Sequence, residues 1–134
     1  MTDNATPGAA KPQRSALMVF TQATLMLEGI TALFATITVA GLQRAGEIAA
    51  PAQTIWAGGL ATAVCMVLAT GFMDRRWGIW LGGLLQLPMV AAFPVSAAVA
   101  FIGVVFAAVW FTGVWLGAKI DRERAERLDA AGDA

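Results

Sequence analysis

Residues 17–42, LMVFTQATLMLEGITALFATITVAGL, form an apolar run with one carboxylate, Glu28, near the middle. As a helix rising ~1.5 Å per residue this run reaches ~39 Å, more than the ~30 Å hydrocarbon core of a bilayer. Tilt or protrusion absorbs the excess. A charged residue at mid-span costs ~3 kcal/mol on an insertion scale, while each Leu, Ile, Phe or Val returns ~0.3 to 0.6 kcal/mol. The run therefore still inserts. Lys11 and Arg14 precede it and Thr38-Val39-Ala40 loosely resembles a cleavage site, but signal-peptide cores span only ~7 to 15 residues. An uncleaved span is expected.

The rest of the chain follows the same pattern. It is 58% hydrophobic and 13% charged, against ~25% charged in an average soluble domain. The expectation is an all-α, polytopic transmembrane bundle of four helices, with spans at residues 17–42, 54–73, 77–93 and 97–118. A leader, residues 1–14, has too few large apolar side chains to order itself. Residues 15–120 make the membrane domain. A charged helical tail, residues 121–134, is expected to fray beyond it, with Glu123 and Arg127 in the favourable acid-first i,i+4 order.

Small residues recur where helices would have to approach. Gly58 and Gly59 lie in the second span, Gly78 and Gly82 in the third, and Gly103, Gly113 and Gly117 in the fourth. In lipid, packing rather than hydrophobicity drives helix association, so these seven glycines are the expected packing positions. The second span, also rich in alanine, reads as an interior helix. In the third, Pro88 lacks an N–H and frees the carbonyl of Leu84, which favours a kink. Phe93-Pro94-Val95 leaves room only for a tight hairpin, after which Ser96 can cap the last helix. Trp77, Trp80, Trp110 and Trp115 suit an interfacial belt.

Four spans put the chain ends and the loop at Asp74 on one side. Lys11, Arg14, Arg75, Arg76, Lys119, Arg122, Arg124 and Arg127 gather there, against Arg44 alone on the other. The positive-inside rule then places both termini in the cytoplasm of a cell-membrane protein.

Chemistry is sparse. Nine basic and nine acidic residues cancel, so no global basic field points to nucleic acid. Histidine is missing and the one cysteine, Cys65, has no intramolecular partner. It is expected to be a small buried apolar residue. No metal, cofactor or catalytic constellation is expected, because a single intramembrane acid has neither a base nor a second acid beside it. The candidate polar site is Glu28 with Thr24, Thr31 and Gln86. Thr21, Thr24, Glu28, Thr31, Ala35 and Thr38 recur at steps of three and four, a stripe that should turn inward. Counted from the cytoplasmic edge, Glu28 and Gln86 lie at one level, ~14 to 17 Å deep. No Lys or Arg lies within any span to stabilise a carboxylate, which favours the neutral acid.

Glu28, the segment Arg75-Arg76-Trp77-Gly78 leading through Gly82 to Gln86, and Phe106, Trp110, Leu116 and Gly117 running into Ile120-Asp121 resemble a known family. It is that of small actinobacterial integral-membrane proteins of unknown function, often encoded beside folylpolyglutamate synthase. The resemblance covers roughly residues 15–124. It implies a four-helix membrane protein without an assigned activity.

Two functional readings follow. In one, small-residue faces and the charged tail bind a membrane or cytosolic partner, or a second copy, and Glu28 is a hydrogen-bonding acid that fixes helix register. In the other, Glu28 is the protonatable site of a small proton-coupled transporter, since intramembrane acids are functional by default. Leu27-Glu28-Gly29-Ile30 resembles, in outline, the first span of small multidrug-resistance transporters. Those transporters often show weak charge bias, unlike this chain, so the accessory reading is preferred.

Overall fold

The structure, a computed structural model, describes residues 14–132. The leader expected at residues 1–14 falls almost wholly outside them. Among the described residues every regular element is helical: α1 (Ala16–Arg44), α2 (Ala52–Ala69, with a 3₁₀ turn at Thr70–Phe72), α3 (Arg76–Leu84), α4 (Leu87–Ala91) and α5 (Ala97–Gly132). Three helices, Ala16–Arg44, Ala52–Phe72 and Ala97–Gly132, are long and apolar enough to cross a membrane.

α1 is the central element. It ends in a glycine turn: Gly46 takes φ +83°, and the amides of Gly46 and Glu47 return to the carbonyls of Gln43 and Leu42. Only a residue without a Cβ adopts this conformation cheaply, and it satisfies two carbonyls that the helix end leaves open. α2 then runs back along α1, with Gly59 against Thr36 and Gly29 against Met66 and Val67. α5 is also antiparallel to α1, with the backbone of Gly117 on that of Leu17.

The expected third span is not one helix. It divides into α3 and α4 at Leu85 and Gln86. Pro88 has no N–H for the Leu84 carbonyl, and just before it the Gln86 amide bonds to Gly83, one residue short of the α-helical partner. The turn tightens and the helix breaks. Both pieces still pack along α5, Gly82 against the Trp110 ring and Gly103 against Met89. The turn after α4 is as tight as expected, and the Ser96 hydroxyl accepts from the Val99 amide at 3.5 Å.

The core has two parts. The larger joins Leu25, Ala32, Ala63, Met66, Met89 and Trp110. The smaller, near the loops after α1 and α4, joins Val39, Ala40 and Ile55. Large apolar side chains elsewhere face outward, among them Leu27, Phe34, Leu68, Phe101 and Phe111. In water such a surface would be untenable; in hydrocarbon it costs nothing.

Several expectations are corrected by this packing. Trp110 is not at an interface but 2% exposed in the core, because Gly82 leaves a slot for its ring. Trp77, Trp80 and Trp115 do face outward. α2 is a flanking helix rather than an interior one: it buries Ile55, Ala63, Met66 and Ala69 and turns Cys65 outward. Gly58 has open space beside it, and Gly113 makes only ordinary contact with Phe20 at 3.8 Å, so neither is a site of close approach. Gly78 is one, lying against the carbonyl of Phe72. The charged tail continues α5 as helix to Gly132. Exposed i,i+4 pairs line it, Lys119–Glu123 and Arg122–Glu126 at 3.9 Å and Arg127–Glu123 at 4.0 Å.

Candidate functional site

Glu28 lies halfway along α1 with no exposed surface, and Gln86, at the break between α3 and α4, is 3% exposed. The Gln86 side-chain amide donates to Glu28 Oε2 at 2.6 Å. Gln86 sits at the break with its backbone still in the helical region, φ −69° and ψ −28°, and its side chain reaches α1 from there. The remaining oxygens, Glu28 Oε1 and Gln86 Oε1, are buried without a hydrogen-bond partner. Leu25 and Ala32 on α1, Met66 on α2 and Met89 on α4 belong to the larger apolar cluster. The pair is thus a polar joint inside an apolar core. A link of this kind between transmembrane helices contributes ~0.6 to 2 kcal/mol.

Thr24 and Thr31 do not join it. Both are half-buried, and each spends its hydroxyl on its own helix, Thr24 on the Phe20 carbonyl at 2.8 Å and Thr31 on that of Leu27 at 2.9 Å. The inward face of α1 is instead Thr21, Leu25, Glu28, Ala32, Thr36 and Val39. The expected stripe advances ~3.4 residues per turn, whereas a straight helix advances 3.6, so the two share Thr21 and Glu28 and part at the other positions. Thr36, off the expected stripe, is buried and bonds to the Ala32 carbonyl at 2.7 Å.

Two further polar contacts, not foreseen from the sequence, hold the end of the bundle where α1 begins. Gln22 donates to the Thr70 carbonyl at 3.1 Å, tying α1 to the end of α2. Asp121, on α5, accepts from the backbone amides of Ala16 at 2.8 Å and Leu17 at 3.1 Å, and from the Ser15 hydroxyl. Ser15 itself accepts from Met18 at 3.3 Å. The first turn of α1 is therefore capped by its own serine and by a carboxylate from the other end of the chain. Partial desolvation raises the Asp121 pKa, but the bonds from Ser15, Ala16 and Leu17, with the nearby charge of Arg124, outweigh it and hold the carboxyl below its usual range. The signal for this contact was Asp121 itself, an acid just past an apolar span; its partner amides carry no side-chain signature.

A cavity of about 220 Å³ opens a turn away from Glu28, between α1, α2, α4 and the start of α5. Ala32, Pro88 and Met89 form its near wall, and neither Glu28 nor Gln86 lines it. Among the described residues no group of three or more Cys, Asp or Glu side chains is placed to hold a metal ion.

No curated protein and no solved structure is detectably similar to this chain. A family model does match, over residues 19–126, and that stretch includes Glu28, Gln86 and Asp121 alike. The chain belongs to the family described as protein of unknown function DUF4233.

Proposed function

We propose that this protein is a membrane-embedded accessory or scaffold protein that crosses the bilayer four times, keeps both termini in the cytoplasm and binds a larger membrane or cytosolic partner. The enclosed Glu28–Gln86 pair carries the proposal. A carrier carboxylate must meet its cargo, whereas Glu28 has no exposed surface and spends one oxygen on the helix it holds. The pair works as a fastener. Meanwhile α2 and α5 turn extensive apolar faces outward, where a partner's helices can pack.

The crossing number is supported by contact order along α5. Gly82 meets Trp110 and Met89 meets Gly103, so α3 and α4 together travel the same direction along α5 as one broken crossing. The Asp121 contact brings the basic end of α5 to the start of α1, and the Gln22 contact brings there the end of α2 that leads into Arg75 and Arg76, whereas Arg44 ends α1. The positive-inside rule then makes the basic end cytoplasmic.

Co-purification from native membranes in mild detergent tests the function. A stoichiometric partner should stay bound to the wild type and to Glu28→Gln. A protein that purifies alone, and supports proton-linked flux in liposomes that Glu28→Gln abolishes, would replace this proposal with the carrier.

A further inference from the structure

The cavity between α2 and α4 has a shape and a chemistry that the scaffold role does not use. Its walls are mostly apolar. Thr36 and Thr62 line it, yet their hydroxyls are committed to the carbonyls of Ala32 and Gly58, at 2.7 and 2.8 Å. Beside them the lining includes Val39, Ile55, Val95 and Val99. A lining so largely apolar favours an apolar occupant over water. It is also open sideways: Thr54 and Gly58 on one rim and Pro88 on the other are exposed, and α2 scarcely touches α4 or α5. The window lies within the apolar length of the helices, so it faces hydrocarbon.

Size selects the occupant. Along α1 the lining runs from Ala32 to Val39, ~10 Å at helical rise. Spread over that length, about 220 Å³ gives a bore of ~20 Å², whereas a helix with side chains is ~10 to 12 Å across and needs ~80 Å² or more. A partner helix does not fit; a single alkyl chain does. The smaller core cluster around Val39, Ala40 and Ile55 closes the loop end, so a chain enters through the lateral window.

We infer that this cavity is a binding site for one acyl chain of a membrane phospholipid, taken from the leaflet nearest the loops after α1 and α4. That this leaflet is the outer one rests on the orientation proposed above; the site itself does not.

The test uses the full-length protein in vesicles of phosphatidylethanolamine and phosphatidylglycerol, doped with a phospholipid carrying a diazirine in mid-chain. Illumination followed by peptide mapping should place crosslinks mainly on residues 54–62 and 88–99. Gly58 has open space beside it, so Gly58→Leu should plug the bore without a clash and lower that labelling about tenfold, a change of ~1.4 kcal/mol in occupancy. Ala35→Leu, from the α1 wall, should do the same. Gly71→Leu, at an open position outside the cavity, should leave labelling unchanged. Uniform labelling of all outward faces, or undiminished labelling in plugged variants that retain wild-type helicity and elution, would overturn the inference. Neither result depends on a protein partner, so this site and the scaffold role fail separately.

Discussion

The Asp121 carboxylate accepts from the Ala16 amide at 2.8 Å, across 105 residues of sequence. It joins the start of the first helix to the last helix of the same chain. Asp121→Ala should therefore weaken the bundle by about 1 kcal/mol, the usual loss when a helix N-terminus loses its acceptor, while Asp121→Asn should cost less because a carbonyl oxygen remains. Reversible unfolding in mixed micelles measures both.

The same contact sets a pH dependence. Asp121 is held below its ordinary value of 3.8 in the folded protein, so it contributes stability above that value and loses it as pH falls toward the lowered one. Acid unfolding curves of the wild type and Asp121→Asn should converge at the acid end and separate toward neutrality. Parallel curves throughout would mean that the carboxylate contributes nothing as an anion.

Gly82 and Trp110 make a lock of another kind. A methyl group on Gly82 would meet the Trp110 ring, and that ring has no room to retreat. Gly82→Ala should cost ~1 to 3 kcal/mol by overpacking, and Trp110→Ala ~3 kcal/mol or more by leaving a void. The double variant should be less damaging than the sum, since the alanine at 82 then enters vacated space. Thermal unfolding of the four species closes the cycle.

For Glu28 and Gln86 the conservative and the truncating changes should part company. Glu28→Gln keeps an acceptor of nearly equal volume and should leave stability almost unchanged. Glu28→Ala and Gln86→Ala should each cost about 1 kcal/mol, with a coupling of similar size between them. Additive losses would show that the 2.6 Å contact carries no energy.

Topology has a direct readout. Reporters fused after Ala134 should be active only in the cytoplasm, and one inserted between Gly46 and Ala50 only outside. An external C-terminus would remove the four-crossing arrangement.

The long helices were legible because their apolar runs have only one way to satisfy a backbone in hydrocarbon. The hairpin at Phe93-Pro94-Val95 was legible from its proline. Pro88 announced a distortion, but not that the turn before it would tighten, with the Gln86 amide on the Gly83 carbonyl, and divide the span in two. The burial of Trp110 was hidden, since tryptophan suits a core slot as well as an interface and only the position of Gly82 decides. The inward face of α1 was misplaced at Thr24 and Thr31 by a fraction of a turn, and the threonines on either face alike return their hydroxyls to their own helix. Asp121 was passed over because its partners are main-chain amides. Open space beside Gly58 was equally invisible: a small residue is the same letter whether a neighbour approaches or a void remains.

The order of synthesis gives the Glu28–Gln86 contact a cost in time. The two residues are 58 apart, so at ~5 to 20 residues per second Glu28 emerges ~3 to 12 s before the amide that will bind it. Throughout that interval the nascent first helix carries a carboxyl group without its native partner. It must wait at the insertion machinery, or borrow a temporary hydrogen bond from another protein or a lipid headgroup, until the broken helix arrives. Slowing ribosomes over the codons between Glu28 and Gln86 should then lower the yield, by exposing the half-made protein to membrane proteases for longer.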